Sequence, residues 1–340
     1  MSVLASLRSK HPLPEGWSEA VGADDVIVAD GIELYRAGLS ASAGTDEVTG
    51  AAASTDGAPL ARAYFELVER ATTLAALRAR PDVVDLWSAD GEPAGKAAAA
   101  DVFPESAEPA VWRYARSNGV ALRDDWPSAC RHALWELCER DRILRSWYGE
   151  IVPEAVALPT SFPVFAKTSR YEWVARTFRA EGSAAWSAGV EVCAIFGFPL
   201  DRGAPLVAGY GARPTIGEAL AAAAVEVTQG LAFLWDESIP EVEPAPLPAA
   251  MAHLERFLVP ENHGRVRAWL DGAHASYRDE RPRPPEPVAP VTFVDLGALG
   301  GLAGGLRVAK AVCASALPLT FGVSPLGAHL PPDLRLHPVA

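Results

Sequence analysis

Two segments of this 340-residue chain, seventy positions apart, carry nearly the same helical core. The first reads ARAYFELVER over residues 61–70, the second RHALWELCER over residues 131–140. Both contain aromatic-Glu-Leu-x-Glu-Arg: Phe65, Glu66, Leu67, Glu69 and Arg70 in one, Trp135, Glu136, Leu137, Glu139 and Arg140 in the other. A third segment, ALAAAAVEVTQ at 219–229, keeps the rhythm as Glu226 and Gln229. An i, i+3 spacing sets both carboxylates on one side of a helix, where like charges repel. The pairs are therefore not local stabilisers, and a divalent cation is their natural partner. Mg2+ takes carboxylate oxygens and keeps phosphate oxygens as further ligands. The competing reading is a solvated face. On a helical wheel Cys130, Leu134, Leu137, Cys138 and Leu144 form the apolar stripe of the second helix, with Glu136 and Glu139 opposite. Against it, Phe65, Trp135 and Ile143 lie beside the acids, and the five-position match between helices points to related sites.

Pattern along the chain alternates helix and strand without a clean βαβ repeat, which reads as an α+β fold with mixed sheets. VIVAD and IELYRAGLSA are strand-like, TGAAASTDGA (49–58) is turn-prone, and a helix is expected from Pro59 to about Arg80. Ser128 is the expected N-cap of a second long helix, and Thr215 of a third. VEVCAIFGF, PLVAGYGA, TFVDL and LRVAKAVCA read as strands, and residues 237–250 and 281–290 as Pro-rich connections. Residues 1–48 are expected to pack on a domain spanning 49–340.

Lys+Arg of 30 against Asp+Glu of 43 gives a net charge of -13, which argues against broad binding to nucleic acid or an anionic membrane. The four cysteines (Cys130, Cys138, Cys193, Cys313) have neither Cys-x-x-Cys spacing nor a disulfide framework, which fits a reducing cytoplasm. No signal peptide and no apolar run of about 20 residues is expected. The seven histidines lack zincin spacing, GEPAGKA (91–97) lacks the spacing of a phosphate loop, and GALGGLAGG (297–305) lacks that of a dinucleotide loop.

RSNGVALRDD (116–125) precedes the second helix and would deliver Ser117 and Asn118 close to Glu136. SNGVA followed by ALWELCERD resembles the signature of the YcaO family. TGAAASTDGAPLARAYFELVER, the stretch from VEVCAIFGF to AVEVTQ, and LRVAKAVCASALPLTFG agree with it, so the resemblance covers roughly residues 45–340. It implies a single α+β YcaO-like domain with three long Glu-bearing helices around one nucleotide site. It also implies an ATP- and Mg2+-dependent enzyme that phosphorylates peptide backbone amides, an azoline-forming cyclodehydratase subunit. Thioamide or amidine formation would use the same residues, and a non-catalytic peptide- or partner-binding subunit is the alternative of a different class. Carried over by residue, Glu66, Glu69, Glu136, Glu139 and Glu226 match the metal and nucleotide acids. Ser117, Asn118, Arg70 and Arg140 match nucleotide contacts, and Glu139, Arg140 and the terminal Ala340 carboxylate match catalytic groups. The chain departs from the family pattern at Ala51, where a lysine is common, at Ala222, where an arginine is common, and in ending HPVA. Implied partners are a precursor peptide and a separate E1-like (ThiF-like) leader-binding protein, with a flavin dehydrogenase of the same pathway and a homodimer also compatible.

Overall fold

Alternating apolar positions between Val21 and Ser54 fold as a three-stranded antiparallel meander, the first element group of a computed structural model that describes residues 2–179, 185–235, 237–278 and 290–339. In chain order the elements begin with α1 (Val3–Lys10), β1 (Val21–Ala29), β2 (Ile32–Ala43), β3 (Asp46–Ser54), α2 (Leu60–Ala79), β4 (Val83–Trp87), β5 (Pro93–Ala98), α3 (Ala99–Val102) and β6 (Trp112–Tyr114). There follow β7 (Val120–Arg123), α4 (Trp126–Trp147), β8 (Glu154–Ala155), α5 (Pro163–Lys167), β9 (Tyr171–Thr177), β10 (Glu191–Pro199), β11 (Val207–Arg213) and α6 (Ile216–Leu234). The last are α7 (Ala250–Leu258), α8 (His263–Leu270), β12 (Thr292–Asp295), α9 (Leu296–Leu299), β13 (Arg307–Val312) and β14 (Thr320–Gly322).

These elements form two compact units. The first is built from residues 1–104, 116–137 and 290–313. It holds the meander β1-β2-β3 and a five-stranded sheet of order β5-β4-β12-β13-β7. Helix α2 buries Ala63, Tyr64, Leu67, Val68 and Ala71 against Ala37, Leu39, Ala41, Val48 and Ala52 of the meander. Burying each Leu side chain there contributes about 1.5–3 kcal/mol. The second unit takes residues 105–115, 138–289 and 314–340. Its four-stranded sheet, order β11-β10-β9-β8, packs against α6, and β14 pairs with β6. An aromatic cluster anchors it: Trp269 lies 5.2 Å from Trp147, 5.6 Å from Phe178 and 5.7 Å from Phe196, ring centre to ring centre. Every recorded strand pairing is antiparallel.

Four expectations change. The turn-prone stretch from Thr49 to Ser54 is the second half of β3, because small residues let that strand lie close against α2. A boundary at residue 48 therefore falls inside a strand, and the first 48 residues belong to the first unit through β-pairing. Helix α4 starts earlier than Ser128: Asp125 Oδ1 accepts the Ser128 N–H at 2.8 Å and caps it. Helix α6 is long and apolar enough to cross a membrane by length and composition, yet it packs on β10 and β11. Its N-cap is as expected, with Thr215 accepting the Glu218 N–H. Of the Pro-rich connection 281–290, residues 281–289 lie outside the described residues.

Candidate nucleotide and metal site

One local design occurs three times. The residue after a glycine donates its N–H to a glutamate of the helix that follows; Gly50 and Gly209 lie on strands hard against that helix, while Gly119 stands in the turn before β7. Ala51 donates to Glu66 Oε2 at 2.8 Å, Val120 to Glu136 Oε2 at 3.0 Å and Tyr210 to Glu226 Oε2 at 2.9 Å. The preceding residues are Gly50, Gly119 and Gly209. A Cβ on Gly50 would stand 2.1 Å from the Ala63 carbonyl, and one on Gly209 2.2 Å from the Ala223 carbonyl. Both carbonyls lie three residues before the respective glutamate, so the first and third contacts are equivalent. Gly119 has φ +68 and faces Leu137, the residue after Glu136. The absence of a side chain is what brings strand and helix within hydrogen-bond reach.

In the first unit three carboxylates gather. Glu69, one turn after Glu66, accepts the Leu122 N–H at 2.7 Å. Burial, then the Glu136 charge, pushes its carboxyl up to about 8; Glu66 adds to the rise, while the Leu122 hydrogen bond and Arg123 oppose it. Its side chain nonetheless keeps partial access to solvent. Arg70 turns to Glu66, 2.6 Å away, and to the Thr49 carbonyl. Lys310 of β13 is buried and donates to the Asn118 carbonyl at 2.6 Å. Burial lowers its ammonium to about 8, with Glu136 holding the charge against that fall. Asn118 presents a buried Oδ1 that meets no donor, and Ser117 is exposed beside it.

The second unit carries Glu139, Arg140 and Glu226. Glu139 is 6% exposed, so the solvated-face reading fails for it. Arg140 Nε stands 3.6 Å from its Oε1. Tyr210 links this group to the end of the chain. Its N–H holds Glu226, while its hydroxyl donates to the Pro338 carbonyl at 3.3 Å. Burial raises the Tyr210 phenol, and Arg140, Glu226 and Glu139 are the charges acting on it. The tail is itself locked in place. His253 donates from Nδ1 to the His337 carbonyl and accepts the Gly322 N–H at Nε2, and His337 Nε2 donates to the Thr320 carbonyl. Burial keeps both rings neutral, His253 down to about 4. Residues up to Val339 are thus fixed beside β11, while Ala340 lies outside the described residues.

Of the residues expected from sequence, Glu66, Glu69, Glu136, Ser117, Asn118 and Arg70 lie in the first unit and Glu139, Arg140 and Glu226 in the second. Sequence reading missed Lys310, Tyr210 and the three glycines. A glycine 16 or 17 positions before each first glutamate was the available signal. Among the described residues no three His, Cys, Asp or Glu side chains converge to hold a metal by themselves. The donor set still fits Mg2+, which uses one or two carboxylates and completes its shell with phosphate and water oxygens. The donorless Asn118 Oδ1 fits a ligand that brings its own donor.

The chain superposes on YcaO from Methanopyrus kandleri bound with AMPPCP and Mg2+ with a TM-score of 0.57 at 18% identity, covering 88% of this chain and 86% of that one. A heterocyclase in complex with substrate and cofactor gives 0.54 at 16% identity, over 94% of this chain and 52% of that one. The E. coli microcin synthetase McbBCD complex gives 0.54 at 12% identity, over 86% and 87%. These likenesses establish the fold. A search of curated protein sequences returned no match. The family model described as YcaO cyclodehydratase, ATP- and Mg2+-binding, matches residues 93–286, more than half of the sequence, and the chain belongs to the YcaO family.

Proposed function

We propose that this protein is an ATP- and Mg2+-dependent cyclodehydratase subunit that forms azoline rings in a ribosomally made peptide. The observation that carries the reading is the contact made three times, in which the residue after a glycine pins one oxygen of Glu66, Glu136 or Glu226 to its backbone N–H. A carboxylate so held keeps its orientation, as an acid that must meet a cation requires. Glu66, Glu69, Glu136, Glu139 and Glu226 are assigned to Mg2+, and Ser117, Asn118, Arg70 and Arg140 to the nucleotide. Bound ATP would supply the phosphoryl group that activates an amide oxygen, with Mg2+ neutralising its charge. The chain's own part is positioning and electrostatics. Glu139, held beside Arg140 in a buried setting, and the tail locked by His253 and His337 form the catalytic side of the assignment.

A precursor peptide and a separate leader-binding partner complete the system. This is supported by the substrate-bound heterocyclase and the microcin synthetase complex among the structural neighbours. The test combines this chain, a leader-binding partner and a Cys/Ser/Thr-rich precursor peptide with ATP and Mg2+. Loss of one water mass per ring together with phosphate release is the expected result. Replacement of oxygen by sulfur in the peptide mass would instead identify a thioamide former. ATP turnover without any peptide mass change would sink the azoline reading.

A further inference from the structure

The second and third strand–helix repeats each carry an arginine at one fixed place. Arg123 ends β7 and precedes Glu136 by 13 positions; Arg213 ends β11 and precedes Glu226 by the same 13. Both side chains take one local arrangement. Nη1 of each donates to the carbonyl of the residue before it, Leu122 or Ala212, at 2.6 Å in both. Both are half-buried. Each also acts on carboxylates of its own unit. Arg123 favours the charge on Glu69, the second acid of α2. Burial lowers Arg213, while Glu139, the second acid of α4, and Glu226 and Glu218 of α6 favour its charge. The first repeat has Ala53 at the corresponding place, so the arginines mark only the later two.

An arginine placed by chance at a strand end has no reason to repeat spacing, backbone contact and acidic neighbours together. A guanidinium stays charged, is planar, and offers its donors as a rigid fork. Tying Nη1 to the strand backbone orients that fork. Such a group among acids that themselves take a cation is suited to bidentate contact with phosphate oxygens. We propose that Arg123 and Arg213 each bind phosphate oxygens beside the acids of their own unit; the inference rests on the ATP reading above.

The experiment measures binding of Mg2+ with AMPPCP, and of AMP, to the full chain and to R123A, R213A, R213K and R202A. Arg202, paired with Glu261 at the surface, is the control. Melting temperature is recorded for each. The expected result is AMPPCP affinity at least ~10-fold weaker in R123A and R213A, since a hydrogen bond to a charged group is worth about 1.5–3 kcal/mol. AMP affinity and melting temperature should hold, so the preference for the longer phosphate chain shrinks. R213K should keep its stability yet lose part of the AMPPCP affinity, because an ammonium lacks the fork; it carries the test if an alanine variant does not fold. Wild-type AMPPCP affinity in both alanine variants overturns the proposal, as does an equal loss of AMP and AMPPCP binding together with lowered melting. Wild-type protein that binds no nucleotide overturns the ATP reading itself, and shows before any substitution is made.

Discussion

Replacing Glu139 by glutamine removes a charge from a buried position beside Arg140. A solvated glutamate would change stability by no more than about 0.5 kcal/mol. Here Arg140 loses the opposite charge buried beside it, and unfolding in urea should show a loss of about 1–3 kcal/mol. ATP turnover with partner and peptide should fall ~10²-fold, because metal charge stabilisation is worth several kcal/mol. Glu69 makes a different prediction. In the fold its carboxyl holds a proton up to about 8, against 4.5 for an ordinary glutamate. The folded state then binds more protons than the unfolded chain between those values, so stability of the metal-free protein falls as pH rises across them. Glu69→Gln should remove that slope, melting higher than wild type at pH 8 and alike below pH 4.5. Thermal melts across this range decide it. A parallel decline in the variant would show that another group titrates.

At the scale of elements, the strand–helix contact is set by a missing side chain. Gly209→Ala would force a Cβ to within 2.2 Å of the Ala223 carbonyl and 2.9 Å of the Glu226 Cβ. Overpacking of this kind costs about 1–3 kcal/mol, and here it also pushes the Tyr210 N–H away from Glu226. Gly217, at the start of the same helix, has open space around it. Gly217→Ala should therefore be neutral or gain up to about 1 kcal/mol from helix propensity. Urea midpoints of the two variants should move apart; equal midpoints would show that the close approach at Gly209 can relax.

For the whole molecule the decisive feature is how segments distant in sequence interleave. The five-stranded sheet of the first unit has β12 and β13 in its interior, although they come from residues 292–312 and their neighbours β4 and β7 from 83–123. A chain ending at residue 289 would expose Val84, Val120 and Leu122 and break the ladder between β4 and β7. We expect it to lack cooperative thermal unfolding, a result read by circular dichroism. A sharp transition in the truncated chain would mean that the late strands are dispensable.

Local chemistry made the helices legible. Glu66, Glu69, Glu136, Glu139 and Glu226 stand on long amphipathic helices whose period is written in the residues themselves, and Thr215 caps α6 as its side chain dictates. The turn-like composition of 49–54 hid a strand, because small residues suit both a turn and a strand pressed against a helix, and only the tertiary contact chooses. Which acids are buried was likewise not local. On the helical wheel Glu139 looked like a surface residue; the fold buries it beside Arg140. Lys310 reaches Asn118 across 192 positions and the tail reaches Tyr210 across 128. Sequence alone determined the periodicity, the Thr215 cap and the family motif, since each depends on neighbours within a turn or two. The partners of each acid, and the raised proton affinity of Glu69, come from segments that only the folded chain brings together.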